Sequence, residues 1–252
     1  MTRALCFAAC AIACSSIAMA EDFSFEQVRA LARERAAVPY AARPDDLADY
    51  WKNLTYDQHR DIRFKMDQGL WSVDKKPFSI DFFHPGWTAK KSVKLYEVDG
   101  AEAKPLFFDR SLFDYGKQQV PNGIPTPPGY AGWRARTQLN SADYMDEFLV
   151  FLGASYFRSI PAKSPYGLSA RGLSLNSGLP GVPEEFPDFQ NFWLKTPEAG
   201  AKTLTTWTLL DGPSVSGAYQ FNVTPGVETV MEIDAELTLR QPVQQLGLAP
   251  FS

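Results

Sequence analysis

Between Asp146 and Arg158 the chain reads Asp146-Glu147-Phe148-Leu149-Val150-Phe151-Leu152-Gly153-Ala154-Ser155-Tyr156-Phe157-Arg158. Two acids lead into a run with the look of a buried strand, and a Gly-Ala-Ser corner then delivers an aromatic pair and an arginine. Shortly after, Tyr166-Gly167-Leu168-Ser169-Ala170-Arg171-Gly172-Leu173 sets Arg171 among small residues that permit close backbone approach. A buried Arg158 or Arg171 needs an acidic partner, and Asp146 or Glu147 is the candidate. Carboxylates, arginines and rings are also what sugar recognition uses. Pyranose faces expose C–H groups that pack on Tyr and Trp, and hydroxyls need charged or amide groups to replace lost water. Tyr130 and Trp133, around Gly129 and Gly132, could form such a platform, or could anchor a long loop to a sheet. The candidate saccharide-contacting residues are thus Tyr130, Trp133, Glu147, Tyr156, Arg158 and Arg171.

Other chemistries are set aside by what is missing. The sequence has no GxGxxG, Walker loop, GxSxG elbow or HExxH. Its two histidines, His59 and His84, cannot build a His-rich metal site. His84, in Phe82-Phe83-His84-Pro85-Gly86-Trp87, reads as a turn residue at a strand end. Cys6, Cys10 and Cys14 all fall in an apolar leader, so no disulfide framework, thiol nucleophile or Cys-based metal site is expected downstream. No cofactor is implied. Glycoside cleavage needs two carboxyl groups about 5 to 9.5 Å apart across the bond. No acid pair declares itself in those roles, and no catalytic residue is assigned.

Lys and Arg total 25 against 29 Asp and Glu, a net charge of -4 that offers nucleic acid or anionic lipid no basic footprint. Met1-Thr2-Arg3, the apolar run Ala4 to Ile17 and Ala18-Met19-Ala20 have the form of a signal peptide cleaved before Glu21. The run is shorter than the roughly 20 apolar residues of a spanning helix. Cys14 follows Ala11-Ile12-Ala13, which lacks the leading Leu of a lipoprotein site. A soluble, exported protein is expected.

The elements that position the candidate residues can be read from periodicity. Ser24 and Gln27 can cap one another with Phe23 packed on Val28, and the spacing Phe25, Val28, Leu31, Ala32 predicts a helix ending before Pro39. Leu47, Tyr50, Trp51 and Leu54 suggest a second helix over roughly residues 45–54, the two together closing one end of a sheet. Beyond Arg60 the period falls to two, through Asp61 to Met66, Phe78 to Phe82 and Val93 to Tyr96. Met231, Ile233, Ala235, Leu237 and Leu239 alternate with Glu232, Asp234, Glu236, Thr238 and Arg240, predicting a strand with one dry and one wet face. Residues 203–240 read as a three-stranded meander. Val120 to Gly132 and Ser177 to Pro187 read as long loops. Eighteen Phe, ten Tyr and six Trp beside 19 Pro and 17 Gly fit short strands and tight turns. The expected fold is all-β, mainly antiparallel: a large sandwich with two short N-terminal helices.

Asp146 to Arg158, Tyr166 to Leu173, and Glu184-Glu185-Phe186-Pro187 with Phe192-Trp193 resemble the periplasmic glucan biosynthesis family of Gram-negative bacteria, the OpgG/OpgD or MdoG group. Tyr56 to Phe64 is similar to that family's early strand signature, and Phe25-Glu26 onward resembles its opening helix. The resemblance implies export to the periplasm and a part in making osmoregulated periplasmic glucans, whose backbone is β-1,2-linked glucose. It implies an N-terminal β-sandwich resembling galactose mutarotase folds, followed by a small immunoglobulin-like domain. Family members are about twice this length, so residues 21–252 would be the N-terminal part of the sandwich, with sheet edges left unpaired and one sheet partly uncovered. Members resemble β-1,2-glucan hydrolases, and the acids assigned to that reaction would lie beyond Ser252. The implied partner is β-1,2-glucan; the alternative is a non-catalytic carbohydrate-binding module or a partner of a membrane glucan synthase.

Overall fold

Ser24 opens the first helix in the computed structural model, which describes residues 21–251. The leader motif and the three cysteines lie outside the described residues. The Ser24 amide donates to Gln27 Oε1 at 2.8 Å, and helix α1 (Phe25–Ala36) follows. Val28 and Ala32 bury against Trp193, Trp207, Leu209 and Ala218, with Phe23 and Phe25 packed alongside. Rather than closing a sheet's end, α1 lies across a sheet face, because its apolar stripe finds a flat apolar surface there. The second helix is shorter than its spacing suggests: α2 spans Asp49–Lys52, while Leu47, Trp51 and Leu54 form a small cluster of their own.

Tyr56 to Phe64 also departs from expectation, being mostly helix. Gln58 N donates to Thr55 Oγ1 at 3.3 Å and Thr55 N to Gln58 Oε1 at 2.9 Å, the same reciprocal cap that Ser24 and Gln27 suggest. That cap starts α3 (Tyr56–Asp61) and outweighs the alternation beyond it, of which only strand β1 (Arg63–Phe64) survives.

Strands β2 (Ser79–Phe83), β3 (Lys94–Asp99), β4 (Glu102–Leu106), β5 (Phe113–Asp114), β6 (Gly132–Ser141), β7 (Tyr144–Leu152) and β8 (Tyr156–Ser159) come next. They are followed by β9 (Ala170–Arg171), β10 (Leu173–Leu175), β11 (Asp188–Lys195), β12 (Leu204–Gly212), β13 (Val215–Thr224), β14 (Val230–Leu239) and β15 (Leu246–Leu248). Two main sheets result, ordered β14-β13-β12-β11-β3-β4 and β2-β6-β7-β8-β9, with small pairs β1-β5 and β10-β15. Pairing is antiparallel except between β3 and β11. Ile80, Phe82, Trp133, Leu149, Phe151 and Phe157 of the smaller sheet share one buried core with Leu95, Phe189, Phe192, Leu210, Tyr219 and Phe221 of the larger. The molecule is therefore a mainly antiparallel β-sandwich with α1 on the outer face of the larger sheet.

The meander over β12, β13 and β14 is as its alternation predicts, but β14 does not have a dry face. Ile233 and Leu239 are exposed and Met231 and Leu237 only partly buried. The reason is position: β14 is the edge strand of the larger sheet, so the opposing sheet covers its core-side residues only in part. On its wet face Glu236 binds Arg33 of α1 at 2.7 Å.

Candidate functional site

The two faces of the smaller sheet carry opposite chemistry, as alternation requires. Phe82, Trp133, Phe151 and Phe157 lie opposite one another in one row, all buried in the core. The next row, Asp81, Arg134, Val150 and Arg158, points to the other side. So does the row beyond, which contains Phe83, Gly132 and Leu152, with Tyr156 and Arg171 paired across β8 and β9. At Gly132 an added Cβ would collide with the Phe151 carbonyl, so glycine permits the close approach of β6 and β7.

A bulge between Ala135 and Arg136 sets Arg136 opposite Glu147. The extra residue, Phe148, turns into the core, and Glu147 emerges on the outer face. A chain of ion pairs runs across that face. Arg136 Nε and Arg134 Nε donate to Asp81 Oδ2 at 2.6 and 2.9 Å, Arg134 Nη1 donates to Glu147 Oε2 at 3.2 Å, and Arg158 Nη2 lies 3.6 Å from Glu147 Oε1. Asp81 is completely buried at the head of this chain. Aromatic rings flank the guanidinium groups: Arg134 lies over Phe83, Arg158 over Tyr166, and Arg171 over Tyr156 and Phe186. Tyr166 and Phe186 are exposed.

A cleft of about 250 Å³, bordered by Arg134, Glu147, Ile160 and Tyr166, opens on this surface. A second, of about 340 Å³, opens at the end of the sandwich, where Leu152, Tyr156 and Phe186 meet Lys91, Asp188 and the core rings Phe151, Phe189 and Phe192. Both carboxylates of the ion-pair chain are held by guanidinium groups, an arrangement that fixes hydrogen-bonding groups in place. Among the described residues, no group of three or more His, Cys, Asp or Glu is placed to hold a metal ion.

Four candidate residues, Glu147, Tyr156, Arg158 and Arg171, thus share one face. Tyr130 and Trp133 do not join them. Trp133 is wholly buried, stacked 4.8 Å from Phe151, and Tyr130 stacks 4.3 Å from Phe82. Tyr130 OH donates to the Phe107 carbonyl at 3.0 Å, and burial pushes its phenol up to about 12. These rings anchor the loop to the sheet, so the platform alternative is corrected.

Two proposed acid partners also change. Asp146 accepts from Asn140 N at 2.9 Å within the β6-β7 hairpin, which holds its carboxyl below the usual range. Arg171 pairs with Glu184 at 2.5 Å, and a hydrogen bond from Ser177, then Arg171 itself, keeps the Glu184 carboxyl low. Sequence reasoning missed Asp81 and Arg134. Their signals were a lone acid in Ile80-Asp81-Phe82 and the alternation Trp133-Arg134-Ala135-Arg136.

His84 takes the turn role. It is buried beside the rings of Trp51, Phe108, Phe113 and Tyr115, and Nδ1 lies 2.7 Å from the Pro85 carbonyl. Burial lowers its pKa from 6.5 to about 4, with His59 and Arg110 adding repulsion. An unfolded chain takes up this proton near pH 6.5 and the folded one only near 4, so the unfolded state binds more protons between those values. Stability is therefore full above pH 6.5 and falls as pH drops toward 4, by about 3 kcal/mol in all. Urea unfolding at several pH values should show this slope, and His84→Phe should flatten it. An unchanged slope in the variant would contradict the assignment.

The family model for "Periplasmic glucan biosynthesis protein, MdoG" matches residues 23–252. The chain belongs to that family. It is 44% identical over 241 residues to Glucans biosynthesis protein G of Ralstonia nicotianae, covering 96% of this chain and 48% of the relative. Similarity to Glucans biosynthesis protein G of Pseudomonas paraeruginosa is 39% over 230 residues, covering 91% and 44%. To Glucans biosynthesis protein D 1 of Ralstonia nicotianae it is 40% over 236 residues, covering 93% and 43%. The chain thus spans slightly less than half the length of these curated relatives. Among the described residues, no helix is long and apolar enough to cross a membrane.

Proposed function

We propose that this member of the periplasmic glucan biosynthesis family takes part in making periplasmic glucans by gripping a β-1,2-linked glucose backbone on the outer face of its smaller sheet. On this reading residues 1–20 are a cleaved export signal, the mature chain works in the periplasm, and it forms the N-terminal part of the sandwich of its longer relatives. The observation that carries the proposal is that Glu147, Tyr156, Arg158 and Arg171 share one sheet face with Arg134, and Phe186 lies against Arg171; Arg134 and Glu147 border one cleft and Tyr156 and Phe186 another. Ring faces of Tyr156 and Phe186 suit the C–H faces of glucose, while fixed guanidinium and carboxylate groups donate to and accept from its hydroxyls. The clamped state of both carboxylates favours holding a glucan over cutting it, as would suit a binding partner of a membrane glucan synthase.

Calorimetry with linear β-1,2-gluco-oligosaccharides tests this. Arg158→Ala and Tyr156→Ala should each weaken binding about tenfold or more. A reducing-sugar assay on the same chain should show no release. Wild-type affinity in both variants would overturn the assignment of this face, and steady sugar release would overturn the non-catalytic reading.

A further inference from the structure

Outside the ion-paired rows, one pair of aromatic rings is held in the open. Tyr56 is 53% exposed and Trp87 40% exposed, their ring centroids 5.2 Å apart at an interplanar angle of 63°. Single exposed rings are ordinary, but this pair is built. Tyr56 is the first residue of α3, fixed by the Thr55-Gln58 cap. Trp87 is at the tip of a two-residue turn closed by Gly86 N to the Ala89 carbonyl at 2.9 Å and Ala89 N to the Gly86 carbonyl at 2.8 Å. Its φ of 50° is left-handed, a conformation that glycine takes at the tips of such turns. A bulky residue there is strained, and such strain is concentrated at functional sites.

The turn is also firmly seated. A Cβ on Gly86 would lie only 3.0 Å from His59 and Leu54, so the backbone presses directly on α3 and the end of α2. His59 Nε2 reaches the His84 carbonyl at 2.9 Å, tying α3 to the same segment. The turn and α3 adjoin the candidate site. A cleft of about 380 Å³ is bordered by His59 of α3 and Ala89 of the turn together with Phe83, Arg134 and Leu152. Thr88 and Ala89 also border the cleft that holds Tyr156 and Phe186.

We infer that Tyr56 and Trp87 form a further saccharide subsite at the α3 end of the glucan groove, where one pyranose ring of a bound chain rests against the indole. The inference builds on the proposed glucan-binding face and adds an end to it. Its consequence is dependence on length: a short oligosaccharide held by the Arg134 to Arg171 rows does not reach Trp87, and a longer one does.

Titrating the chain with β-1,2-linked glucotriose and with progressively longer oligosaccharides tests it in wild type, Trp87→Gly, Trp87→Phe and Arg158→Ala. Glycine suits the left-handed φ, so Trp87→Gly should melt no earlier than wild type. It should bind glucotriose normally and the longer oligosaccharides about tenfold more weakly, with Trp87→Phe recovering most of the loss. If Trp87→Gly binds long oligosaccharides like wild type while Arg158→Ala does not, the subsite is wrong and the glucan-binding face stands. If wild type binds no oligosaccharide of any length, both fall.

Discussion

Replacing Asp81 by alanine should destabilise the protein by about 3 to 5 kcal/mol, the usual result of removing one member of a buried charge cluster. The carboxylate is completely buried, and its Oδ2 alone accepts from both Arg134 Nε at 2.9 Å and Arg136 Nε at 2.6 Å. Arg134 is a quarter exposed and keeps Glu147 as a partner. Arg136 has no such retreat: its side chain is 7% exposed, and its other hydrogen bond goes to the Met145 carbonyl. Most of the cost is therefore an unpaired guanidinium left in the sheet. In urea unfolding Asp81→Asn should lose less than Asp81→Ala, because the amide oxygen can still accept one bond. At temperatures where Asp81→Ala remains folded, oligosaccharide affinity should also fall, since Arg134 loses the contact that aims it at Glu147. A loss below about 1 kcal/mol would mean that the ion-pair chain does not organise this face.

Trp133→Ala should be comparably costly for a different reason. The indole fills the centre of the core row, stacked on Phe151 and edge-on to Phe192 at 5.7 Å, and truncating a buried tryptophan costs about 3 to 5 kcal/mol. Because Trp133 faces the core while Arg134 and Arg158 face outward, the loss should appear in the unfolding midpoint. At a temperature where the variant is folded, affinity for β-1,2-gluco-oligosaccharides should stay within about threefold of wild type. Intact stability with abolished binding would put the indole on the sugar side after all.

What could be read from the sequence depended on how local the determining interaction was. The meander from Leu204 to Leu239 was legible because alternation and turn residues sit within the segment they fold. The Glu147-Arg158 pair was legible because one hairpin brings both residues to the same face. Arg171 was assigned the wrong acid because its partner, Glu184, comes back through a loop whose path no periodicity records. The alternation from Asp61 to Met66 is realised only at Arg63–Phe64, because the helix started by the Thr55-Gln58 cap runs through Asp61. The ambiguity of Tyr130 and Trp133 arose from residue type, since a large ring serves a core and a sugar platform equally well. Position resolves it, because Trp133 shares parity with Phe82 and Phe151.

Photo-crosslinking is the direct test of the central claim that the outer face of β2, β6, β7, β8 and β9 is where a glucose polymer lies. A diazirine-bearing β-1,2-gluco-oligosaccharide, irradiated with the chain and mapped by mass spectrometry, should label Tyr156, Tyr166 and Phe186 and should be displaced by unlabelled β-1,2-glucan. Displaceable labelling confined to α1 or to β12, β13 and β14, with this face untouched, would contradict it.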